Sequence, residues 1–389
     1  MSNYLLRSAE KEILRLIETF PVVVIVGPRQ VGKTSLAKRI ASQLTRPSQY
    51  LDLENPDDYN RLTNPSLFLD GLSEQTVILD EVQRIPALFP ILRGVVDKNR
   101  HPGRFILLGS ASPELIRDSS ESLAGRAVYF ELPTFRLEEI EPVSDYRQHW
   151  LRGGFPNSLL AASDADSLEW RENFIKTYLE RDLPLLGLRA DPMLVRRLWT
   201  MVAHSHGNLL NLDALAGSLA ISGPTVRRYL DYLESSFLIR RLPPMIFNIR
   251  KRLIKSPKFF VRDTGILHSL LGISGFAQLQ GHPALGNSWE GYVLEEIAAH
   301  LPPRTELYFY RTQDGTEGDI VIGRGGVPEV LLEIKYSTTP KLTKSFHIAK
   351  ADLQTARNFI ICPVETGYPL AEDVSVIGLR DIRTLFSAL

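Results

Sequence analysis

The chain has 389 residues, 44% hydrophobic and 23% charged, with 45 basic and 45 acidic side chains that give a formal net charge of zero. This length and composition predict two or three globular domains, and the neutral total excludes nucleic-acid binding through an overall basic surface. The single cysteine, Cys362, excludes an internal disulfide. Neither a signal-peptide core nor an apolar run near the roughly 20 residues of a membrane span is present, so we expect a cytoplasmic protein without a membrane partner.

The first predicted elements are a helix over residues 8–20 and a buried strand over residues 22–26, which leads directly into the loop sequence GPRQVGKTS. Glycines at this spacing, between a strand and a helix, let successive backbone N–H groups point at phosphate oxygens. The sequence therefore predicts a phosphate-binding loop made by Gly27, Pro28, Arg29, Gln30, Val31, Gly32, Lys33, Thr34 and Ser35. The alternative to such a loop is a chance glycine turn between a strand and a helix. In such a loop Lys33 reaches the β- and γ-phosphates of ATP, and the Thr34 hydroxyl binds Mg²⁺.

Two carboxylates follow another predicted strand. After a strand at residues 49–53, the apolar run at 76–79 ends in Asp80 and Glu81. Hydrolysis of a phosphoanhydride needs charge neutralisation and an oriented water, so we expect Asp80 to hold Mg²⁺ and Glu81 to polarise the attacking water. An acidic turn after a buried strand is the alternative.

Two further strands complete the predicted sheet. The fourth, over residues 104–108, is followed by Ser110, a candidate sensor of the γ-phosphate whose alternative role is to cap a turn. The fifth covers residues 127–132, directly after Arg126. Five strands with intervening helical segments predict a parallel α/β sheet with its ligand at the carboxyl ends of the strands.

The segments GPRQVGKT, VILDEVQRIP, FILLGSAS and SLAGRAVYFELPTFRLEEI resemble prokaryotic AAA-type ATPases that carry a C-terminal domain of unknown function. The resemblance covers essentially the whole chain. It implies ATP hydrolysis with Lys33, Thr34, Asp80 and Glu81 in the roles above, and it places Ser110 where a sensor residue, more often asparagine or threonine, stands. It also implies that Arg126 is an arginine finger that completes the site of a neighbouring subunit in a homo-oligomeric ring. A structural salt bridge is the alternative for Arg126.

The middle of the chain is predicted to be helical, with one long helix over residues 168–183 and Arg152 as a candidate second sensor. Residues 212–219, a turn, and a helix that begins with Pro224 form a predicted helix-turn-helix, from which Thr225, Arg227 and Arg228 project. A strand at residues 237–241 extends this segment to a winged helix. Residues 240–262 contain eight basic side chains and no acidic one: Arg240, Arg241, Arg250, Lys251, Arg252, Lys255, Lys258 and Arg262. The pattern favours sequence-independent binding of duplex or branched DNA, and the alternative is a solvated basic face.

The last third is predicted to form an α/β domain with a metal site. A helix over residues 288–301 precedes strands at 308–310, 318–322 and 330–335. Alternation along the third strand puts Glu333 and Lys335 on one face, and a hairpin brings Asp319 beside them. Asp319 and Glu333 are candidate ligands of a divalent cation, and Lys335 is a candidate to orient the attacking water.

This arrangement, over roughly residues 286–365, resembles the restriction-endonuclease-like superfamily, which implies an additional catalytic glutamate at Glu290. Arg311 is expected to assist in binding phosphate. The alternative is a surface ion pair in a nuclease-like fold that does not cleave.

The predicted division is an AAA-type P-loop domain (1–141), a helical lid or linker (142–205), a winged helix (206–262) and a restriction-endonuclease-like domain (263–389). The main functional hypothesis is an oligomeric, DNA-bound ATPase with ATP and Mg²⁺ as cofactors. One alternative is an ATP-dependent switch that binds a protein partner through an inert nuclease-like domain. Another is a metal-dependent nuclease that ATP regulates.

Overall fold

The computed structural model describes residues 4–110, 121–141, 143–246 and 253–387, with Ser110 described by its backbone alone. The chain folds into two compact units. The first consists of Met1–Phe135, Leu183–Leu188 and Ser235–Phe237, and the second of Arg136–Asp182, Arg189–Glu234 and Leu238–Leu389. Across the described ranges, every helix is too short or too polar to cross a membrane. The division into four domains remains a prediction.

The first unit contains a five-stranded sheet in the order β2-β3-β4-β1-β5, in which all neighbouring strands are parallel. Its strands are Val22–Gly27 (β1), Ser48–Asp52 (β2), Thr76–Asp80 (β3), Phe105–Ser110 (β4) and Ala127–Glu131 (β5). This confirms the predicted parallel α/β sheet, because each strand lies within two residues of its expected position. Helices connect the strands as parallel pairing requires: Ala9–Thr19, Lys33–Ala41, Pro56–Arg61, Pro65–Asp70 and Leu88–Lys98, with a 3₁₀ turn at Val82–Arg84 and a helical turn at Leu183–Leu185.

The central strand β1 explains why this sheet is buried on both faces. Its six residues are all buried, and alternate side chains enter two different apolar clusters. Val22 and Val24 pack in the cluster that contains Phe105, whereas Val23 packs in the cluster that contains Leu36 on the opposite face. An apolar β-branched run, covered by helices on both sides, is typical of a central parallel strand.

The second unit begins with helices. They are Leu137–Ile140, Tyr146–Arg152, Pro156–Leu159, Asp164–Thr177 with a π-helical turn at Tyr178–Asp182, and Pro192–His204. The long helix begins before the predicted residue 168 because the Ser163 side chain accepts a hydrogen bond from the backbone N–H of Asp166, which caps the helix N-terminus.

Two helices, Leu212–Leu219 and Gly223–Ser235, and a small antiparallel sheet follow in this unit. The sheet has the order β6-β8-β7, with strands Asn208–Leu209 (β6), Ile239–Leu242 (β7) and Lys258–Val261 (β8). Val226, Leu230 and Leu233 are buried, as the helical spacing predicts. Arg227 and Arg228 are exposed.

A mixed six-stranded sheet completes the unit, in the order β13-β14-β12-β11-β10-β9. The strands are Thr305–Arg311 (β9), Glu317–Arg324 (β10), Val327–Ile334 (β11), Arg357–Ile361 (β12), Tyr368–Ala371 (β13) and Val374–Ile377 (β14). The helices are Thr264–Leu270, Phe276–Gln280, Leu285–Ala299 and Lys344–Leu353, with a 3₁₀ segment at Leu379–Phe386. Strands β9, β10 and β11 are antiparallel, and β11 pairs in parallel with β12. Cys362 is fully buried beside this sheet, and burial raises the pKa of its thiol to about 11.

Candidate functional site

The loop after β1 has the strand-to-helix geometry that its sequence predicts. Gly27 has φ +151°, and a Cβ atom there would lie 2.4 Å from the backbone oxygen of Leu132, so only glycine fits. Gly32 has φ +97° and lies directly before the helix Lys33–Ala41, whose first turn includes a hydrogen bond from Leu36 N to the Gly32 oxygen (3.0 Å). The loop therefore delivers Lys33 and Thr34 to the first turn of the helix, at the carboxyl end of the sheet.

Lys33 is buried and folds back over this loop. Its ammonium donates hydrogen bonds to the backbone oxygens of Gly27 (3.0 Å) and Pro28 (2.8 Å). Burial lowers the pKa of Lys33 to about 8, against the opposing effect of Glu81 and Asp80. The side chain is therefore largely charged at neutral pH, but it loses its proton at a lower pH than an exposed lysine does.

Asp80, at the end of β3, is the centre of the site. The Thr34 hydroxyl donates to its Oδ2 at 2.6 Å and the Tyr50 hydroxyl donates to the same oxygen at 2.7 Å. A hydroxyl and a carboxylate that touch are oxygen ligands suited to Mg²⁺, which is commonly held by one or two carboxylates together with substrate phosphates. Thr34 and Asp80 thus fit the cation that the sequence predicts.

Tyr50 was not among the predicted site residues. It lies on β2, which pairs with β3 and brings Asp52 opposite Asp80. Burial, the hydrogen bond to Asp80 and the charge of that carboxylate all raise the pKa of Tyr50. The phenol therefore stays a donor that fixes the orientation of the Asp80 carboxylate.

Glu81 has an unusual backbone conformation for a residue other than glycine, with φ 54° and ψ 44°. Its N–H donates to Asp80 Oδ1 (2.9 Å), and its carboxylate accepts a hydrogen bond from the side-chain amide of Gln83. Strained conformations of this kind concentrate at functional sites. The strand ends at this turn, where Glu81 stays hydrogen-bonded to its neighbour Asp80. The contact between Glu81 and Gln83 was not predicted.

The two other predicted residues of this site differ in what the structure says about them. Ser110 is paired in register with Gly27 across β4 and β1, but its side chain lies outside the described part of the chain. Arg126 forms a two-pronged ion pair with Asp97, with Nε–Oδ1 2.6 Å and Nη2–Oδ2 2.7 Å. This pair holds the pKa of Asp97 below its usual range. Arg126 therefore has a partner within its own chain.

The C-terminal candidate residues also come together. Asp319 and Glu333 flank the paired residues Ile320 and Leu332 on the β10–β11 hairpin. Asp319 Oδ2 accepts the backbone N–H of Ile334 (2.8 Å), and Lys335 Nζ lies 2.9 Å from Glu333 Oε1. Burial raises the pKa of both carboxyl groups.

Lys258, on β8, forms an ion pair with Glu290, a contact that the sequence did not predict. Its Nζ lies 3.1 Å from Glu290 Oε1 and 2.6 Å from Glu317 Oε1, and its side chain is 3% exposed. Burial opposes the charge on Lys258, but Glu290, Asp319 and Glu317 outweigh it and raise the pKa of the lysine. Burial also raises the pKa of Glu290, which Lys258 opposes.

Most of the described basic residues between 240 and 262 are likewise paired. Arg240 and Arg262 both contact Glu295, at 3.0 Å between Nη2 and Oε2 in each case. Arg241 contacts Asp231 and Glu234. Arg250, Lys251 and Arg252 lie outside the described residues, and Lys255 is exposed. The pairs remove four of the eight side chains from the predicted basic surface.

Arg311, which was expected to assist in binding phosphate, and Arg152, the candidate second sensor, also have carboxylate partners. Arg311 Nη1 lies 3.6 Å from Glu317 Oε2. Arg152 Nε lies 2.7 Å from Asp164 Oδ1, and its Nη1 donates to the backbone oxygen of Ala161 at 2.7 Å. Arg152 thus ties two helices of the second unit together.

Three family models match the chain: an AAA domain over residues 19–141, a domain of unknown function (DUF8612) over residues 143–277 and another (DUF4143) over residues 285–382. The first places the parallel sheet and the glycine loop in an AAA-type P-loop domain. The other two state no function.

Two relatives are the uncharacterized proteins Mb2031c of Mycobacterium bovis and Rv2008c of Mycobacterium tuberculosis. Each is 45% identical over 378 residues, which is 97% of this chain and 84% of the relative.

Solved structures give weaker likenesses. The Walker-type ATPase PABY2304 of Pyrococcus abyssi is 17% identical with a TM-score of 0.48, over 69% of this chain and 96% of its own. The STAND protein PH0952 of Pyrococcus horikoshii, a signal transduction ATPase, is 13% identical with a TM-score of 0.31, over 78% of this chain and 46% of its own.

Proposed function

The chain belongs to the same family as the two mycobacterial proteins, and we propose that its AAA domain binds and hydrolyses ATP. The observation that carries this proposal is the 2.6 Å contact between the Thr34 hydroxyl and Asp80. It joins the phosphate-binding loop to the carboxylate at the end of β3, so that the two side chains that would hold a nucleotide-bound Mg²⁺ already lie together.

Each residue has a distinct part in the proposed reaction. Lys33 neutralises charge on the β- and γ-phosphates, and the backbone of the loop holds the phosphates in line. When bound, Mg²⁺ would supply further charge neutralisation, and Thr34 and Asp80 would hold it. Glu81 accepts a hydrogen bond from the attacking water and orients it. Its present partner, the Gln83 amide, must then yield to the water.

We further propose that the ATPase acts as a homo-oligomer in which Arg126 reaches the site of a neighbouring subunit. The ion pair with Asp97 does not prevent this, because the Asp97 side chain is 43% exposed and ion pairs this exposed contribute little to stability. Arg126 can therefore leave Asp97 when a phosphate is presented to it.

Mixing two inactive variants tests the trans arrangement. Arg126→Ala and Glu81→Gln chains are each expected to hydrolyse ATP poorly, and the mixture is expected to regain activity because some sites then combine an intact Glu81 with an intact Arg126. Steady-state phosphate release is the measurement. Asp97→Ala is the matched control, since it removes the ion pair and keeps the guanidinium. No gain on mixing, or equal losses in Asp97→Ala and Arg126→Ala, would mean that Arg126 has only a structural role.

DNA is the second proposed partner, now through a smaller surface than the sequence suggested. Arg227 and Arg228 are exposed near the start of the helix Gly223–Ser235, the part of a winged helix that enters a major groove. Phosphate contacts from these two arginines and from Lys255 would give sequence-independent binding that weakens as salt is added.

A charge reversal tests this surface. Arg227→Glu combined with Arg228→Glu is expected to weaken binding to a labelled duplex by about tenfold or more at low salt and to flatten the salt dependence. Fluorescence anisotropy at several salt concentrations measures both effects. The control, Lys11→Glu with Lys341→Glu, makes the same change in net charge at other exposed positions. Equal effects of the two double variants, or no binding by the unmodified chain, would favour the protein-partner switch.

A further inference from the structure

The buried carboxylates of the C-terminal domain are already bonded to donors of the same chain. Lys258 contacts Glu290 and Glu317 at 3.1 and 2.6 Å. Lys335 contacts Glu333 at 2.9 Å, and the backbone N–H of Ile334 donates to Asp319 at 2.8 Å. These contacts engage one oxygen atom of each of the four carboxylates.

This arrangement does not fit the metal site that the nuclease-like pattern implies. Mg²⁺ and related cations take six to eight oxygen ligands at about 2.0–2.6 Å, of which carboxylates supply some and water or substrate the rest. Within the described residues, no group of three or more histidine, cysteine, aspartate or glutamate side chains is arranged to hold a metal ion. Among the described residues, Asp319 and Glu333 are therefore not part of a larger group of such ligands.

Lys258 has the properties of a permanent counterion. All four residues of its strand are buried, and its ammonium lies 5.5 Å from the centre of the Phe309 ring. A lysine in such surroundings loses its proton unless carboxylates offset the burial. Glu290, Asp319 and Glu317 do so, which raises the pKa of Lys258 and keeps it charged.

We propose that Lys258 takes the place of a divalent cation in this carboxylate cluster, so that the C-terminal domain does not hydrolyse nucleic acid by metal-assisted chemistry. The ammonium instead joins three elements: β8, the helix Leu285–Ala299 through Glu290, and β10 through Glu317. Arg240 and Arg262 join the small sheet to the same helix through Glu295. The cluster is a set of buried ion pairs that links the small sheet to the six-stranded sheet of this unit.

The experiment measures Mn²⁺ binding by calorimetry, without nucleotide, in full-length chains that carry Asp80→Asn to remove the cation site of the AAA domain. With Lys258 present, we expect no Mn²⁺ site that depends on Asp319. Lys258→Met, which keeps the approximate length of the side chain and removes its charge, is expected to gain one Mn²⁺ site. Its apparent affinity for Mn²⁺ is expected to be at least about tenfold higher than that of the chain with Lys258, because the uncompensated carboxylates then attract the cation. Adding Asp319→Asn is expected to abolish that site.

A second set of variants separates metal binding from folding. Lys258→Met with Glu290→Gln and Glu317→Gln removes the lysine and its two contacts together, and is expected to fold and to bind no Mn²⁺. Lys258→Arg is expected to behave like the unmodified cluster. Two results would overturn the proposal. One is an Asp319-dependent Mn²⁺ site in the chain with Lys258 intact, a comparison that holds even if Lys258→Met does not fold. The other is a folded Lys258→Met chain that gains no site.

Discussion

Lys33→Ala is expected to lower kcat/KM for ATP hydrolysis by about 100- to 1,000-fold. This is the usual effect of removing one preorganised hydrogen-bond donor that stabilises the charge developing in the transition state. The chain should remain folded, because the alanine removes only two side-chain hydrogen bonds, those to the backbone oxygens of Gly27 and Pro28. Steady-state phosphate release measures the loss, and circular dichroism checks the fold. Lys11→Ala, an exposed lysine on another helix, is the control.

The same lysine predicts a pH dependence. Burial lowers the pKa of Lys33 to about 8, so its charged form, which binds phosphate, is present below that pH and is lost above it. We expect KM for ATP to rise as the pH increases through about 8, and the rise to be absent in Lys33→Arg, whose guanidinium keeps its charge. An unchanged KM across this range in the unmodified chain would show that Lys33 does not bind the phosphates in its charged state.

Glu81→Gln is expected to lower kcat by about 100- to 10,000-fold, the range associated with a positioned general base, while leaving ATP affinity nearly unchanged. The substitution keeps the shape of the side chain and its hydrogen-bonding reach but removes the charge that polarises water. Single-turnover hydrolysis and binding of a fluorescent nucleotide separate the two quantities.

The matched control for Glu81 is Glu18→Gln, at an exposed position of the first helix. A loss of nucleotide affinity in Glu81→Gln as large as its loss of kcat would contradict the proposed role. It would show that Glu81 contributes to ATP binding and not to the hydrolysis step. Retention of full hydrolysis would assign the water to another group.

The sequence predicted the elements of the nucleotide site because its signals are local. The buried valines of β1, the glycines at 27 and 32, and the acidic pair after β3 each lie within one short segment, and the parallel sheet and the AAA domain are confirmed. Tyr50 could not be predicted in this way. Its contact with Asp80 joins residues 30 positions apart and depends on the register of β2 against β3.

The burial of Lys258 could not be predicted from the pattern of charged residues in the sequence. A run of basic residues predicts an exposed face, yet Lys258 begins a strand whose next three residues, Phe259, Phe260 and Val261, are all buried. A lysine adjoining such a strand is a signal of a buried partner, although its acidic partners, Glu290 and Glu317, are too far along the chain to be identified without the fold. The winged-helix and nuclease-like assignments remain predictions.

The most direct test of the central claim is Mg²⁺-dependent phosphate release from ATP by the full-length chain and by Asp80→Asn, with and without duplex DNA. Asp80 accepts hydrogen bonds from the hydroxyls of Thr34 and Tyr50 and lies at the carboxyl end of β3, beside the phosphate-binding loop. We therefore expect hydrolysis to require Mg²⁺ and to be lost in Asp80→Asn. Equal rates in the two chains would place hydrolysis elsewhere, and no hydrolysis by the unmodified chain under any of these conditions would contradict the proposal that this domain is an ATPase.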